Sequence, residues 1–169
     1  LAYAQMPAAY ATQVDASGKL LMSGRMIIVG ATDATGTVIA PFSNRAGHIC
    51  TNLSGTTCND PYQVKDFFVV APGMQVYGSH ANQLNMGTNG STSVQGTSPA
   101  AAYVSGGIAL MKQAWPQLRP EQLVAITLNT AKDMGAKGVD DVYGHGMVDF
   151  DAATKPMGTL VLANNTKLT

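Results

Sequence analysis

The chain has 169 residues, 46% of them hydrophobic and only 12% charged, and its 10 basic side chains are balanced by 10 acidic ones. This is one domain's worth of sequence, long enough to bury about two-thirds of its unfolded surface in a single core. Balanced charge leaves no broad positive field for a nucleic-acid backbone or an anionic membrane, and every apolar run is cut well short of the roughly 20 residues that span a bilayer. The chain opens Leu1-Ala2-Tyr3-Ala4-Gln5, with no initiator Met and no basic n-region or cleavable apolar segment, so it reads as a piece of a longer polypeptide.

Residues 1–24 are weakly patterned. Arg25-Met26-Ile27-Ile28-Val29-Gly30-Ala31 is a continuous apolar run bounded by glycines, the pattern of a strand buried on both faces. A turn at Asp33-Ala34-Thr35-Gly36 leads to a second, shorter strand at Thr37-Val38-Ile39-Ala40. Residues 43–64 form an irregular loop that carries Cys50 and Cys58. No C-x-x-C and no histidine pair at ligand spacing accompanies these cysteines, so the spacing favours a loop-closing disulfide over two free thiols and implies an oxidising compartment.

Phe67-Phe68-Val69-Val70-Ala71 is another apolar strand, stopped by Pro72-Gly73, and Met74-Gln75-Val76-Tyr77 adds an edge strand. Residues 78–95, rich in Gly, Ser, Asn and Thr, read as a loop. A helix runs from Pro99 to about Trp115, apolar nearly all round and therefore buried; Gly106 and Gly107 cost it roughly 1 kcal/mol each, which close packing against a neighbour would offset. A second helix starts at Pro120, with Glu121 near the positive end of its dipole, and buries Leu123, Val124, Ile126 and Leu128. A glycine turn at Tyr143-Gly144-His145-Gly146 and a short helix around residues 149–154 complete the pattern. Buried strands followed by helices indicate an α/β layered fold.

The segment Gln95-Gly96-Thr97-Ser98-Pro99-Ala100-Ala101-Ala102-Tyr103-Val104-Ser105-Gly106 is the sharpest chemical feature. Ser98 falls between a glycine-bearing loop and the N-terminus of a buried helix, where backbone N–H groups and the helix dipole stabilise a developing oxyanion. Two readings fit: a nucleophile, or a simple N-cap followed by proline at the first helical position. It is not a G-x-S-x-G elbow, because Ala100 stands at the fifth position. Asp140, Asp141, Asp149 and Asp151 lack the regular ligand spacing of a calcium loop and read as a solvated rim and helix N-terminal carboxylates; no metal site is assigned.

Gly96-Thr97-Ser98 followed by small residues and Val104-Ser105-Gly106 resembles the nucleophile motif of subtilisin-like serine peptidases. Ile28-Val29-Gly30-Ala31, Phe42-Ser43-Asn44-Arg45-Ala46-Gly47, Val70-Ala71-Pro72-Gly73, and Thr130-Ala131-Lys132-Asp133 through Tyr143-Gly144-His145-Gly146-Met147-Val148 follow that family's order over residues 20–155. The Ser-Asn-Arg-Ala-Gly turn, Gly138-Val139-Asp140 and the Lys155-Pro156-Met157-Gly158-Thr159-Leu160 ending are most similar to subtilases that form autotransporter passengers in Gram-negative bacteria.

The resemblance implies a subtilisin-like α/β layered fold with a mostly parallel sheet, represented by its C-terminal part only: the C-terminal portion of a subtilase catalytic domain over residues 1–158, with a linker or following segment beginning at 159–169. It implies peptide hydrolysis through an acyl-enzyme on Ser98, with Gly96 and Thr97 beside the nucleophile and the Ser98 N–H as one oxyanion donor. Two positions depart from the family: Pro99 replaces its usual Met and Ala102 its usual Pro. The family's catalytic Asp and His and its oxyanion Asn lie upstream of the matched region; Asp33, Asn44, His48, His80 and His145 do not match them. The chain alone is therefore expected to be inactive, because a serine hydroxyl without a base is a weak nucleophile.

The implied partners are a peptide or protein substrate, the N-terminal half of the same domain, and a second copy if the halves swap; no nucleic acid is implied. No cofactor is expected, and calcium belongs to the intact family domain without support in these residues. The implied location is secreted or on the cell surface. The alternative reading is a non-catalytic subtilase-like structural or binding module.

Overall fold

Two five-residue runs make the centre of the molecule. Strands β1 (Ile28–Thr32) and β4 (Phe68–Pro72) pair in parallel, in the register Ile28↔Phe68 through Thr32↔Pro72. The computed structural model describes residues 4, 16, 24–49, 53–54, 57–58, 63–79 and 91–155. Cys50, His80, most of residues 1–24 and the expected boundary at 158/159 lie outside these described residues.

The sheet is widened by single bridges: Val70 pairs in parallel with Met147, which pairs in turn with Lys132, and Thr32 pairs antiparallel with Ile39. The expected strand at 37–40 reduces to that one bridge. Its donors are already used, since the Thr37 and Val38 N–H groups both bond the Asp33 carboxylate at 2.8 and 3.2 Å. The 43–64 loop contains a short hairpin, β2 (Leu53–Ser54) with β3 (Thr57–Cys58), and a 3-10 turn over Val64–Phe67 closes the approach to β4. Strand β5 (Val76–Ser79) is present, but its partner β6 (Ser91–Val94) falls in the stretch read as loop. Small polar residues do not prevent a ladder whose bonds come from the backbone, and Thr and Val suit a pleated strand.

Helix α1 (Thr97–Ala114) lies on one face of the sheet, and α2 (Pro120–Asn129) packs against α1. Their contact with the strands forms one cluster, in which Ala31, Val69 and Ala71 meet Ala100, Val104, Val124, Leu128 and Val148. The opposite face carries Phe68 and Val70 against Ala46 and Val64, with Ile28, Tyr143 and Met147 at its margin. Burying each such Val or Phe side chain stabilises by about 1.5–3 kcal/mol over leaving it in water.

Helix α2 begins as its sequence suggests, with Pro120 in the first turn and the Gln122 side chain accepting from the Arg119 N–H at 2.9 Å. Glu121 is held below its ordinary pKa by its own backbone N–H and by the Arg25 guanidinium. The last helix, α3 (Phe150–Ala153), is capped by Asp149, whose carboxylate accepts from the Ala152 N–H at 2.8 Å.

Helix α1 starts two residues earlier than expected, at Thr97, and it is buried along one stripe rather than nearly all round. Only the stripe Ala100, Val104, Gly107 and Met111 is buried, while Ala101, Ala102, Ser105, Gly106, Ala109 and Leu110 face outward. The two glycines therefore part company. A Cβ on Gly107 would sit 2.1 Å from the Phe150 ring, whereas at Gly106 it would meet nothing within 4 Å. Gly107→Ala is expected to lower stability by about 2 kcal/mol, because the ring has to move; Gly106→Ala should raise it by up to about 1 kcal/mol through helix propensity. Paired urea titrations check this, and equal shifts in the two variants would refute the assigned packing.

Candidate active site

The chain ends of β1 and β4 and the start of α1 are stitched into one corner. Gly73, directly after β4, donates to the Thr32 carbonyl at 3.2 Å and accepts from the Gly96 N–H at 2.8 Å. A Cβ on Gly73 would fall 2.4 Å from the Ala31 side chain and 2.6 Å from the Gly96 carbonyl oxygen, so only glycine lets the three segments close up. The β5–β6 ladder, with Val76 opposite Val94, fixes the chain just before this point.

Gly96 caps α1 with φ 150° and ψ 172°, a conformation that is essentially glycine's alone. Space is not the constraint there, since the nearest atom to an added Cβ is Pro99 Cδ at 3.5 Å. The helix then starts at Thr97, and this removes the N-cap reading of Ser98. Ser98 is the second helical residue, exposed, in a first turn whose N–H groups have no intrahelical acceptor. Pro99 is third rather than first, where its missing N–H still costs no helix bond.

Alongside this corner the outer edge of β1 is only partly covered. The Ala40 N–H bonds the Ala31 carbonyl at 2.8 Å, and the buried Ser43 hydroxyl accepts from the Ala31 N–H at 2.9 Å. Before that point the edge opens at Ile28 and Val29 into a cavity of about 250 Å³, whose other walls include Phe42, Asn44, Phe68 and Thr97.

The family model described as the subtilase family matches residues 2–146 of this sequence. The chain belongs to the subtilase family. This subtilase chain is 33% identical over 118 residues to fervidolysin of Fervidobacterium pennivorans, covering 68% of itself and 16% of that protein. It is 41% identical over 60 residues to the Neisserial autotransporter lipoprotein NalP of Neisseria meningitidis, covering 36% of itself and 6% of NalP. Its fold is that of MycP1 from Mycobacterium smegmatis, with TM-score 0.53, 26% identity and coverage of 78% of this chain and 30% of MycP1. The subtilase chain thus spans less than a third of each of these proteins.

The other polar residues singled out in the subtilase sequence have separate occupations. Asp33 closes its own turn, and the Thr35 hydroxyl, with the Thr37 and Val38 N–H groups, lowers its pKa to about 2. His48 Nδ1 lies 3.1 Å from Asp141, whose carboxylate also accepts from Lys65 Nζ at 3.0 Å and is held below its ordinary pKa by Lys65 and His48. His145 Nε2 lies 3.1 Å from the Asp66 carbonyl oxygen. No hydrogen bond among the described residues joins a histidine to Ser98. Asp140 binds the Val142 and Tyr143 N–H groups with one oxygen and the Ala136 N–H with the other, while Asp151 pairs with Lys155. Among the described residues, no group of three or more His, Cys, Asp or Glu side chains is placed to hold a metal ion. No helix among them is long and apolar enough to cross a membrane.

Sequence reasoning missed two supports of the corner. Gly73 was legible only as a strand stop and Ser43 only as part of a turn. The clue to the first was two glycines, one ending a buried strand and the other opening a buried helix, since parallel strands place both at the same end of the sheet.

Proposed function

We propose that this chain is part of a secreted or cell-surface serine endopeptidase of Gram-negative origin that hydrolyses peptide bonds through an acyl-enzyme on Ser98. The exposed Ser98 hydroxyl, in the first turn of α1 behind the locked Gly96, is the observation that carries the reading. In the reaction the Ser98 Oγ bonds to the scissile carbonyl carbon as its proton passes to a base, and the same proton then leaves on the departing amine. Water subsequently attacks the ester and frees Ser98. The Ser98 N–H supplies one oxyanion donor, with Thr97 beside it. The base, its orienting carboxylate and the second donor come from polypeptide outside this sequence, for which the open edge of β1 beside Thr97 is the natural seat.

A non-catalytic subtilase-like module is the second reading, favoured by the Pro99 and Ala102 departures and by the engagement of His48 and His145 elsewhere. Intact mass after treatment with a fluorophosphonate separates the two. The chain alone should stay unlabelled, and adding the N-terminal half of the parent domain should give one adduct on Ser98. Continued silence with a bound complement would establish the module instead. The same spectra, taken before and after reduction, report whether Cys50 and Cys58 are joined.

A further inference from the structure

A second concavity, of about 470 Å³, lies at the C-terminal end of β4 and takes no part in the chemistry assigned to Ser98. Its apolar wall is Pro72, Met134, Met147 and Val148; Tyr103 and Lys132 supply its polar lining, together with the turn at 35–37. Such a volume holds a small organic molecule. Methionines give the wall an adaptable surface, and Tyr103, 51% exposed, offers an aromatic ring already in water.

Charge decides what the cavity would take. Among the described residues, Lys132 is the one cation lining it, no carboxylate lines it, and the Lys132 ammonium has no ion-pair partner. Three carboxylates lie within two residues of the lining and each is hydrogen-bonded elsewhere: Asp33 to Thr35, Thr37 and Val38, Asp133 to the Gly138 N–H at 2.9 Å, and Asp149 to the Ala152 N–H at 2.8 Å. Lys132 is also held in place from behind, because its N–H and carbonyl both bond Met147, at 2.7 and 2.9 Å.

We propose that this cavity binds a carboxylate carried on an apolar body, with the carboxylate on Lys132 and the body against Met134, Met147 and Pro72. A peptide ending in an apolar residue and a medium-chain fatty acid share that chemistry. The proposal does not depend on Ser98.

The test uses the 169-residue chain with carbon-13 methionine methyls, titrated with N-acetyl-leucine, N-acetyl-leucinamide and octanoate. Saturable shifts of the Met134 and Met147 methyls are expected with N-acetyl-leucine at about millimolar concentration, the range open to so small a ligand. The amide should bind about two- to fivefold more weakly, as for one exposed charge pair. Lys132→Gln, which keeps the backbone pairing with Met147, should abolish that preference. Tighter binding of octanoate, with the same loss in Lys132→Gln, identifies an alkyl carboxylate as the better ligand; tighter binding of N-acetyl-leucine identifies a peptide end. Absence of saturable shifts, equal binding of acid and amide, or an acid preference that survives Lys132→Gln would overturn the proposal.

Discussion

Replacing Gly146 with alanine is expected to destabilise the chain by about 3–5 kcal/mol, a large part of the roughly 5–15 kcal/mol that holds an ordinary domain together. Two independent causes act at this residue. Its φ of 101° lies in the region that side chains rarely adopt, and an added Cβ would stand 2.1 Å from the Lys132 carbonyl oxygen. Neither neighbour can retreat cheaply. The Gly146 carbonyl accepts from the Val70 N–H at 2.9 Å, Val148 donates to Val70 at 3.0 Å, and Met147 is paired with Lys132 in both directions. Moving the turn would therefore strip one side of β4, and the Val70 N–H, buried within the sheet, would lose its partner.

A urea titration of Gly146→Ala beside His145→Ala measures this. His145 contributes a side-chain contact to the Asp66 carbonyl oxygen and a backbone bond to Phe68, and alanine keeps the second. The histidine variant should lose no more than about 1 kcal/mol. If the glycine variant loses as little, the Tyr-Gly-His-Gly turn is not the clamp on β4 that these bonds describe.

That clamp shows what the sequence made legible and what it did not. The buried runs at 28–32 and 68–72 and both long helices could be read directly, because continuous apolar strands and capped helical stripes carry their own local signal. The 37–40 segment has strand composition, yet it is drawn into a turn by the Asp33 carboxylate. Ser91–Val94 has loop composition, yet it is made a strand by its partner β5. In both cases long-range or side-chain hydrogen bonding overrides a local preference of a few tenths of a kcal/mol per residue. The exposure of half of α1 was illegible for a different reason: an apolar helix announces that it will be covered, but not which polypeptide covers it. At the site, Gly96-Thr97-Ser98 was readable as a motif, while the register of Ser98 within the first turn, which separates a cap from a presented hydroxyl, required the backbone.

That register sets up the other large effect. In the parent protein, or in the chain joined by its complement, the proposed role predicts that Ser98→Ala lowers kcat by about 10⁶-fold, a magnitude carried over from the loss of subtilisin's own serine. Stability should hardly follow. Ser98 is exposed at the second position of α1 and Gly96, not Ser98, occupies the cap, so removing the hydroxyl deprives the helix of no capping bond. The expected change lies within about 0.5 kcal/mol and leans towards stabilisation, alanine being the better helix former. A capping serine would behave in the opposite way, costing about 1 kcal/mol and leaving turnover intact. Measuring kcat and the urea midpoint on the same preparation therefore places Ser98 on one side or the other. Activity that survives the substitution would remove the nucleophile from this mechanism, and a fall in both quantities together would mean that the hydroxyl acts through the structure of the corner where Gly73, Gly96 and the end of β1 meet.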